Sequence, residues 1–151
     1  MINYYDITTK LKDALLDEVP FCNTVTKGSI DRLMNAKQDM YPISHLMINN
    51  CTSNGNTLTY NVSIISMDIV DISKLETTDI FIGNDNEDDV LNNMQSLLIR
   101  IVARLQRGDL FSDLYQVSNA SLEPFMDRFE DNVAGWTLTV DIVVPNGMSI
   151  C

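Results

Sequence analysis

The sequence predicts a two-layer α+β fold, in which a mostly antiparallel sheet of four to five strands carries a long helix across one face. Two pairs of β-type segments, each able to form a hairpin, flank one strongly amphipathic helical segment. A further helix precedes the first pair. Because no repeat, low-complexity tract or flexible linker interrupts the chain, residues 1–151 are expected to form a single domain.

The N-terminal segment is predicted to be a helix that Asn3 can cap and that Pro20 stops. Its apolar residues recur at helical spacing: Tyr4, Ile7, Leu11, Ala14 and Leu15. A short strand is expected around 22–26. Ser29 is then expected to cap a brief helical turn over 30–36.

The first hairpin is predicted from two β-type runs, 43–48 and 58–64, that flank Asn54-Gly55. Asn-Gly is a strong hairpin signal because a type I′ turn requires positive φ at both central residues. Beyond Ile64 the phase of the second run changes, since the formerly polar face becomes apolar at Ile65, Met67 and Ile69. A β-bulge, or a strand tip that leaves its sheet and meets a neighbouring molecule, would explain this change.

The long amphipathic helix is the clearest element, with Asp85 as its predicted N-cap and Gly108 as its C-terminal stop. Its apolar face comprises Val90, Leu91, Met94, Leu97, Leu98, Ile101, Val102 and Leu105. Acidic residues at its positive end are Glu87, Asp88 and Asp89, and arginines toward its negative end are Arg100, Arg104 and Arg107.

The last strand pair is predicted within 115–125 and over 136–144, where Pro145-Asn146-Gly147 ends it. The second of these strands has a regular apolar inner face, formed by Trp136, Leu138, Val140, Ile142 and Val144. Trp136 is expected to anchor the core.

Charge and hydropathy exclude several functions. Ten basic residues against 21 acidic ones give a net charge of −11, which disfavours sequence-independent nucleic-acid binding. No apolar run approaches the ~20 residues that cross a bilayer. The first residues, 1–6, lack the pattern of a signal peptide. The sequence therefore predicts a soluble chain, made in a cytoplasm and without a membrane partner.

Candidate catalytic and metal-binding residues are few. His45 is the only histidine and lies in a strand run, so a structural role is favoured over that of a catalytic base. A zinc site would require His45 together with every cysteine, so reduced, mostly buried thiols are expected at Cys22, Cys51 and Cys151. Nucleophile-elbow, zinc-protease, P-loop and dinucleotide motifs are not found. We expect a non-enzymatic protein with no metal, cofactor or small-molecule substrate.

Two clusters of acidic residues allow alternative interpretations. The segment 85–89 resembles a calcium loop, but it lacks the central Gly and the closing Glu, so a role at the helix N-terminus is favoured. The second group, Glu123, Asp127, Glu130 and Asp131, could form the carboxylate pair of a glycosidase, but a surface loop is favoured. The three arginines either complement the helix C-terminus or pair with an acidic neighbouring subunit.

Apolar residues outside the regular elements are the remaining unusual feature. They occur at 80–82, at 110–115 and in the C-terminal segment 146–151, and they either pack within the chain or cover a neighbouring subunit. The predicted subunit interface comprises Asp85, Glu87, Asp88, Asp89, Arg100, Arg104, Arg107, Met148, Ile150 and Cys151.

Several motifs together are similar to one family of viral proteins. Within 121–136, Glu123-Pro124-Phe125 and Arg128-Phe129 lead into Ala134-Gly135-Trp136, and the last strand ends in Val144-Pro145-Asn146. The segment 41–48, followed by the Asn-Gly hairpin, belongs to the same pattern. From about Ala36 onward the chain resembles tail-terminator and tail-completion proteins of tailed bacteriophages, among them ring proteins of crAss-like short-tailed phages.

The resemblance implies a non-enzymatic subunit of a homo-oligomeric ring in the phage neck or tail. DNA would pass through the ring without specific binding, and neighbouring tail, neck or portal proteins would be its partners. The protein would be part of the virion and be assembled in the host cytoplasm. Two other classes stay open: a small monomeric ligand-binding or regulatory α+β module, which requires a concave apolar pocket, and a hydrolase, which the scarcity of histidines disfavours.

Overall fold

A computed structural model describes residues 4–30, 38–71, 78–81, 83, 86–108, 116–128 and 132–146. Its elements in chain order are α1 (Tyr4–Leu16), β1 (Thr24–Lys27), β2 (Ile43–Ser53), β3 (Thr57–Ile69), α2 (Glu87–Arg107), β4 (Gln116–Arg128) and β5 (Val133–Pro145). A short 3-10 turn, Gln38–Met40, precedes β2. Apart from Ile30, the predicted helical turn over 30–36 lies outside the described residues, as does Asn3.

The strands form one five-stranded sheet in the order β1-β2-β3-β5-β4. β1 is parallel to β2, and the other neighbouring pairs are antiparallel. The predicted α+β fold with a mostly antiparallel sheet is therefore confirmed, although the sheet is mixed. Because β5 lies between β3 and β4, α2 connects two strands that are not adjacent. α2 packs on β3, β4 and β5, whereas α1 packs on β1 and α2.

The main core lies between the helices and the inner face of the sheet. The apolar face predicted for α2 is confirmed, since its residues at 94, 97, 98, 101 and 105 are buried. The inner face of β5 is also confirmed: Leu138, Val140, Ile142 and Val144 are buried, and Trp136 is half-buried. The indole Nε1–H of Trp136 donates a hydrogen bond to the Leu91 carbonyl oxygen of α2, 2.9 Å away. This bond joins the helix layer to the sheet.

The phase change in β3 has a different cause from the two that the sequence suggested. The strand stays in continuous register with β5 from Thr57 to Ile69, so its tip neither bulges away from β5 nor leaves the sheet. The register shift against β2 instead occurs between Ile48 and Asn50. Ile65 and Met67 are buried on the outer face, the face opposite α1 and α2, in a second apolar cluster. The sheet is therefore packed on both faces at this end.

Two local predictions need correction. The hairpin between β2 and β3 is present, but of Asn54 and Gly55 only Gly55 has positive φ (79°), which disagrees with a type I′ turn. The N-cap of α2 is Asn86 and not Asp85; its side-chain oxygen accepts a hydrogen bond from the Asp71 N–H, at 2.7 Å. Gly108 ends α2 as predicted, but with extended backbone (φ −101°).

Gly135 allows β3 and β5 to approach closely. A Cβ atom at this position would lie 2.0 Å from the Ser66 carbonyl oxygen and 2.8 Å from the Met67 Cα. Both neighbours are backbone atoms of a paired strand, so they cannot move aside as a flexible side chain can. The glycine of the Ala134-Gly135-Trp136 motif is thus required by packing.

Candidate assembly surfaces

The outer face of the sheet has a polar half, formed where β2, β3, β5 and β4 lie side by side. The pairing register places Asn61 opposite Asp141, and Asp141 opposite Asn119, so these side chains project from the same face. We define the polar half by Asn49, Asn61, Ser63, Asn119, Ser121, Thr139 and Asp141. Most of these side chains are exposed or half-exposed, and only Ser63 is buried.

A chain of side-chain hydrogen bonds crosses the polar half. The Asn49 amide donates to Asn61 Oδ1 and to Ser63 Oγ, both at 2.8 Å. The Asn61 amide donates to Asp141 Oδ1 at 2.7 Å, and Asn119 donates to the other Asp141 oxygen at 3.5 Å. The Asp141 carboxylate therefore accepts hydrogen bonds from two side-chain amides, which orient it without neutralising its charge.

The electrostatic character of the polar half is weakly acidic. None of its residues is Lys or Arg, and Asp141 supplies its one formal charge. A shallow hollow of about 270 Å³ lies over Asn61, Asn119, Ser121, Thr139 and Asp141. Such a surface offers hydrogen bonds to water but no cation that would hold a phosphate.

A second surface is the turn that carries Ile80 and Phe81. Their side chains are 93% and 91% exposed, so they are not buried against the part of the chain that the structure describes. Asp79 shapes the turn: its Oδ1 accepts the Phe81 N–H at 2.9 Å, and its carbonyl oxygen accepts the Gly83 N–H at 2.7 Å. Gly83 has positive φ (75°), which favours glycine. Ile82 lies outside the described residues.

A third surface is an open groove between the start of α1 and the β1–β2 edge. The groove has a volume of about 460 Å³ and is lined by Tyr4, Thr8, Leu46 and Ile48, with Lys27 at its side. The Lys27 ammonium lies 5.2 Å from the centre of the Tyr4 ring, within cation–π distance. A second hollow of about 280 Å³ adjoins it and shares Thr8, Lys27 and Leu46. Sequence reasoning missed this groove because α1 and β2 meet only in three dimensions.

The charged residues predicted as an interface lie at opposite ends of α2. Glu87, Asp88 and Asp89 form its first turn, and Arg104 and Arg107 lie in its last turn, as predicted. The predicted interface residues of α2 therefore lie in two separate regions, one toward each end of the helix. Asp85, Met148, Ile150 and Cys151 lie outside the described residues.

Two of the arginines form ion pairs with the segment that follows α1. Arg100 Nη1 lies 3.1 Å from Glu18 Oε2, and Arg104 Nη2 lies 3.6 Å from Asp17 Oδ2. Arg104 also donates to the Ala14 carbonyl oxygen at 3.2 Å. Neither sequence-based interpretation anticipated these pairs within the chain. Contact of the arginines with a neighbouring subunit stays a prediction.

Two of the four acidic residues that were predicted to lie in a surface loop, Glu123 and Asp127, lie in a strand instead. Glu123 and Asp127 lie within β4, whereas Glu130 and Asp131 are outside the described residues. β4 is an edge strand, and Glu123 is exposed on it. Among the residues that the structure describes, no three His, Cys, Asp or Glu side chains lie close enough to hold a metal ion.

His45 is fully buried and has both ring nitrogens engaged. Nε2 lies 3.0 Å from the Gly28 carbonyl oxygen, which can only accept, so Nε2 carries the proton. In the neutral ring Nδ1 then accepts from the Thr26 hydroxyl at 2.7 Å. These bonds tie the end of β1 to β2, which agrees with the predicted structural role.

The cysteines differ from one another. Cys22 is buried, and burial raises the pKa of its thiol, which also contacts Ser44 Oγ at 3.6 Å. Cys51 is exposed on β2, so it is an exception to the prediction of mostly buried thiols. Cys151 is outside the described residues.

Comparison with known proteins assigns no function to these surfaces. No protein-family model matches the sequence, and no curated protein is significantly similar to it. Within the described part of the chain, neither helix has the length and apolar character needed to span a membrane.

Proposed function

We propose that this chain is a structural subunit of a homo-oligomeric ring in the neck or tail of a tailed phage, through which DNA passes. The observation that carries the proposal is the outer face of the sheet. Its polar half is open, ordered by hydrogen bonds across four strands, and free of Lys and Arg. A wall of this kind lets a phosphate backbone move past without binding it.

The segment that resembles tail-terminator proteins has a role in the fold. It includes the second part of β4 and the beginning of β5, where Gly135 allows close strand packing and Trp136 donates a hydrogen bond to α2. Gly135 and Trp136 of the motif therefore maintain the sheet and its contact with α2. The resemblance and the packing therefore both support a scaffold role.

Ring closure requires two different, complementary patches on each subunit, because neighbours in a ring contact each other head to tail. The turn carrying Ile80 and Phe81 and the groove beside Lys27 are two such patches, on different elements of the fold. Neighbouring portal, neck or tail proteins would contact the remaining edges of the ring.

Electron microscopy of labelled rings tests the proposal. In a background of Cys51→Ser and Cys151→Ser, Ser121→Cys places a thiol on the polar half, and Lys10→Cys places one on the exposed side of α1. We expect closed rings in which gold coupled at position 121 lies in the central channel and gold at position 10 lies on the rim. Mass spectrometry of purified virions should find the chain among the structural proteins.

Two results would contradict the proposal. One is a ring whose channel contains the position-10 label and excludes the position-121 label. The other is a protein that stays monomeric at every concentration and is missing from virions. Fluorescence anisotropy provides a third check, since the assembled protein should bind linear duplex DNA no more tightly than a neutral control protein does.

The groove beside Lys27 supports one competing function. Its volume, about 460 Å³, lies within the range of about 300–1,000 Å³ that is usual for small-molecule sites. A monomeric ligand-binding module would place its ligand there. A metabolite that raises the melting temperature of the native chain, but not of a Thr8→Trp variant that fills the groove, would favour this alternative.

A further inference from the structure

The turn at Ile80 and Phe81 exposes two large apolar side chains to water, which is energetically unfavourable. Both side chains are more than nine-tenths exposed, although Asp79 accepts hydrogen bonds from the Phe81 and Gly83 N–H groups within the turn. Burying a large apolar side chain is worth about 1.5–3 kcal/mol. Adjacent, exposed large apolar side chains of this kind are typical of contact sites.

The groove beside Lys27 provides a matching recess. β1 ends at Lys27, which pairs with Leu46, so in the described part of the chain the β2 edge beyond Leu46 has no strand beside it. The floor of the groove is this edge, and Tyr4 and Thr8 of α1 form its wall. The adjoining hollow, with Thr9 and Lys12, extends the recess to the other side of Lys27. Two neighbouring apolar side chains therefore have room to enter.

The charges around the two surfaces are opposite. The residues that line the groove and its adjoining hollow include Lys12 and Lys27 and no carboxylate. Asp79 lies at the base of the turn, and the acidic first turn of α2, 87–89, follows closely in sequence. These acids repel nucleic acid and anionic membranes, which leaves a protein surface with local positive charge as the suitable partner.

We propose that the Ile80–Phe81 turn of one molecule inserts into the Lys27 groove of a second copy of this chain. The inference rests on the proposed ring and names one of its contacts. Two copies with a net charge of −11 each repel one another overall, so association requires a local pairing of opposite charges. Lys12 and Lys27 supply that pairing at the groove. Because turn and groove are different surfaces, the contact is head to tail.

Cross-linking of mixed variants tests this contact directly. In the Cys51→Ser, Cys151→Ser background, Phe81→Cys protein is mixed with Ser29→Cys protein and treated with a short bismaleimide; Ser29 lines the groove and is exposed. We expect a cross-linked dimer in the mixture, in excess over a mixture of Val19→Cys and Ser29→Cys. Val19 is 75% exposed and lies on neither surface, so it reports random collision.

Sedimentation of point variants measures the strength of the contact. We expect Phe81→Ser to weaken self-association by about 30-fold or more, as for a buried aromatic anchor, and Val19→Ser to leave it unchanged. Lys27→Glu should also weaken it, and Asp88→Lys in the partner should restore part of the loss. Because Phe81 is exposed in the single chain, the thermal stability of the Phe81→Ser variant should equal that of the parent.

The outcomes distinguish the contact from the ring. Rings that form without the specific cross-link, or that tolerate Phe81→Ser, would overturn the contact and leave the proposed function standing. A specific cross-link in a protein that forms dimers but no closed rings would support the contact and count against the ring. A chain that neither cross-links nor self-associates would refute both.

Discussion

The outer face of the sheet has two halves that share strands but differ in chemistry. In the apolar half, Ile43, Ile65 and Met67 are buried. In the polar half, Asn61 and Asp141 are half-exposed and hydrogen-bonded to one another. The two halves are thus separate environments on one face: a second core at one end of the sheet and an open surface at the other.

The two halves are therefore expected to contribute differently to the stability of the fold. Burial in the apolar half adds a second layer of packing beneath the sheet, next to the 3-10 turn Gln38–Met40. The polar half gains little from burial because its groups are already hydrogen-bonded and partly hydrated. We therefore expect substitutions in the apolar half to destabilise the protein strongly, and those in the polar half to lower its stability much less.

The largest effect is expected for Gly135→Ala, at the centre of the apolar half. The new methyl group would meet the Ser66 carbonyl oxygen at 2.0 Å, so β3 and β5 would have to separate. We expect a loss of about 4 kcal/mol or more in the free energy of unfolding, measured by urea denaturation. Thr137→Ala, at the next position on the same face of β5, is the matched control and should cost far less. Equal losses in both variants would contradict the conclusion that the close approach of β3 and β5 requires a glycine at position 135.

The next effect concerns Met67, which is fully buried in the apolar half. Met67→Ala should cost about 2–5 kcal/mol, because it removes buried apolar surface and leaves a cavity. The control is Met126→Ala, since Met126 is 51% exposed on β4 and should change stability by about 0.5 kcal/mol or less. If both methionines gave the same small change, the apolar half would not be a second core.

The elements that the sequence predicted well are those with strong periodicity. α2 and β5 each show one clear apolar face over many residues, and both faces are buried in the structure. The sequence also shows the change in the apolar–polar alternation of β3 at Ile65, but it does not show the cause of this change. A strand buried on both faces at one end gives the same local pattern as a bulge, and only its neighbours distinguish the two.

Long-range relations were beyond the sequence. Arg100 of α2 and Glu18, in the segment that follows α1, are 82 residues apart, and nothing local in the sequence indicates that the fold brings them within 3.1 Å. The insertion of β5 between β3 and β4 is likewise set by packing and not by periodicity. The exposure of Ile80 and Phe81 depends on the three-dimensional fold, because an apolar triplet in a sequence is equally consistent with a buried turn.

A smaller effect is expected in the polar half from Asn61→Ala. The change removes the hydrogen bonds from Asn49 and to Asp141, in a region that water reaches. We expect a loss of about 1 kcal/mol in the free energy of unfolding. Thr59→Ala, two residues away on the same face of β3, is the control. A loss from Asn61→Ala as large as that from Met67→Ala would contradict the division into two halves.

The smallest effect is expected for Asp68→Asn, on the inner face at the apolar end of β3. Burial, and then the nearby charge of Asp71, raise the pKa of Asp68 above its ordinary value of 3.8, although its bond from the Ile69 N–H opposes the shift. The folded state therefore disfavours the charged carboxylate, and stability falls as the pH rises through the folded-state pKa.

Asparagine keeps the acceptor oxygen without the charge. The variant should be more stable than the parent at pH 7, and this advantage should shrink towards about pH 4, as measured by urea denaturation at both pH values. Asp13→Asn, on the exposed side of α1, should show no such gain, and an equal gain there would assign the effect to net charge instead of to burial at the apolar end.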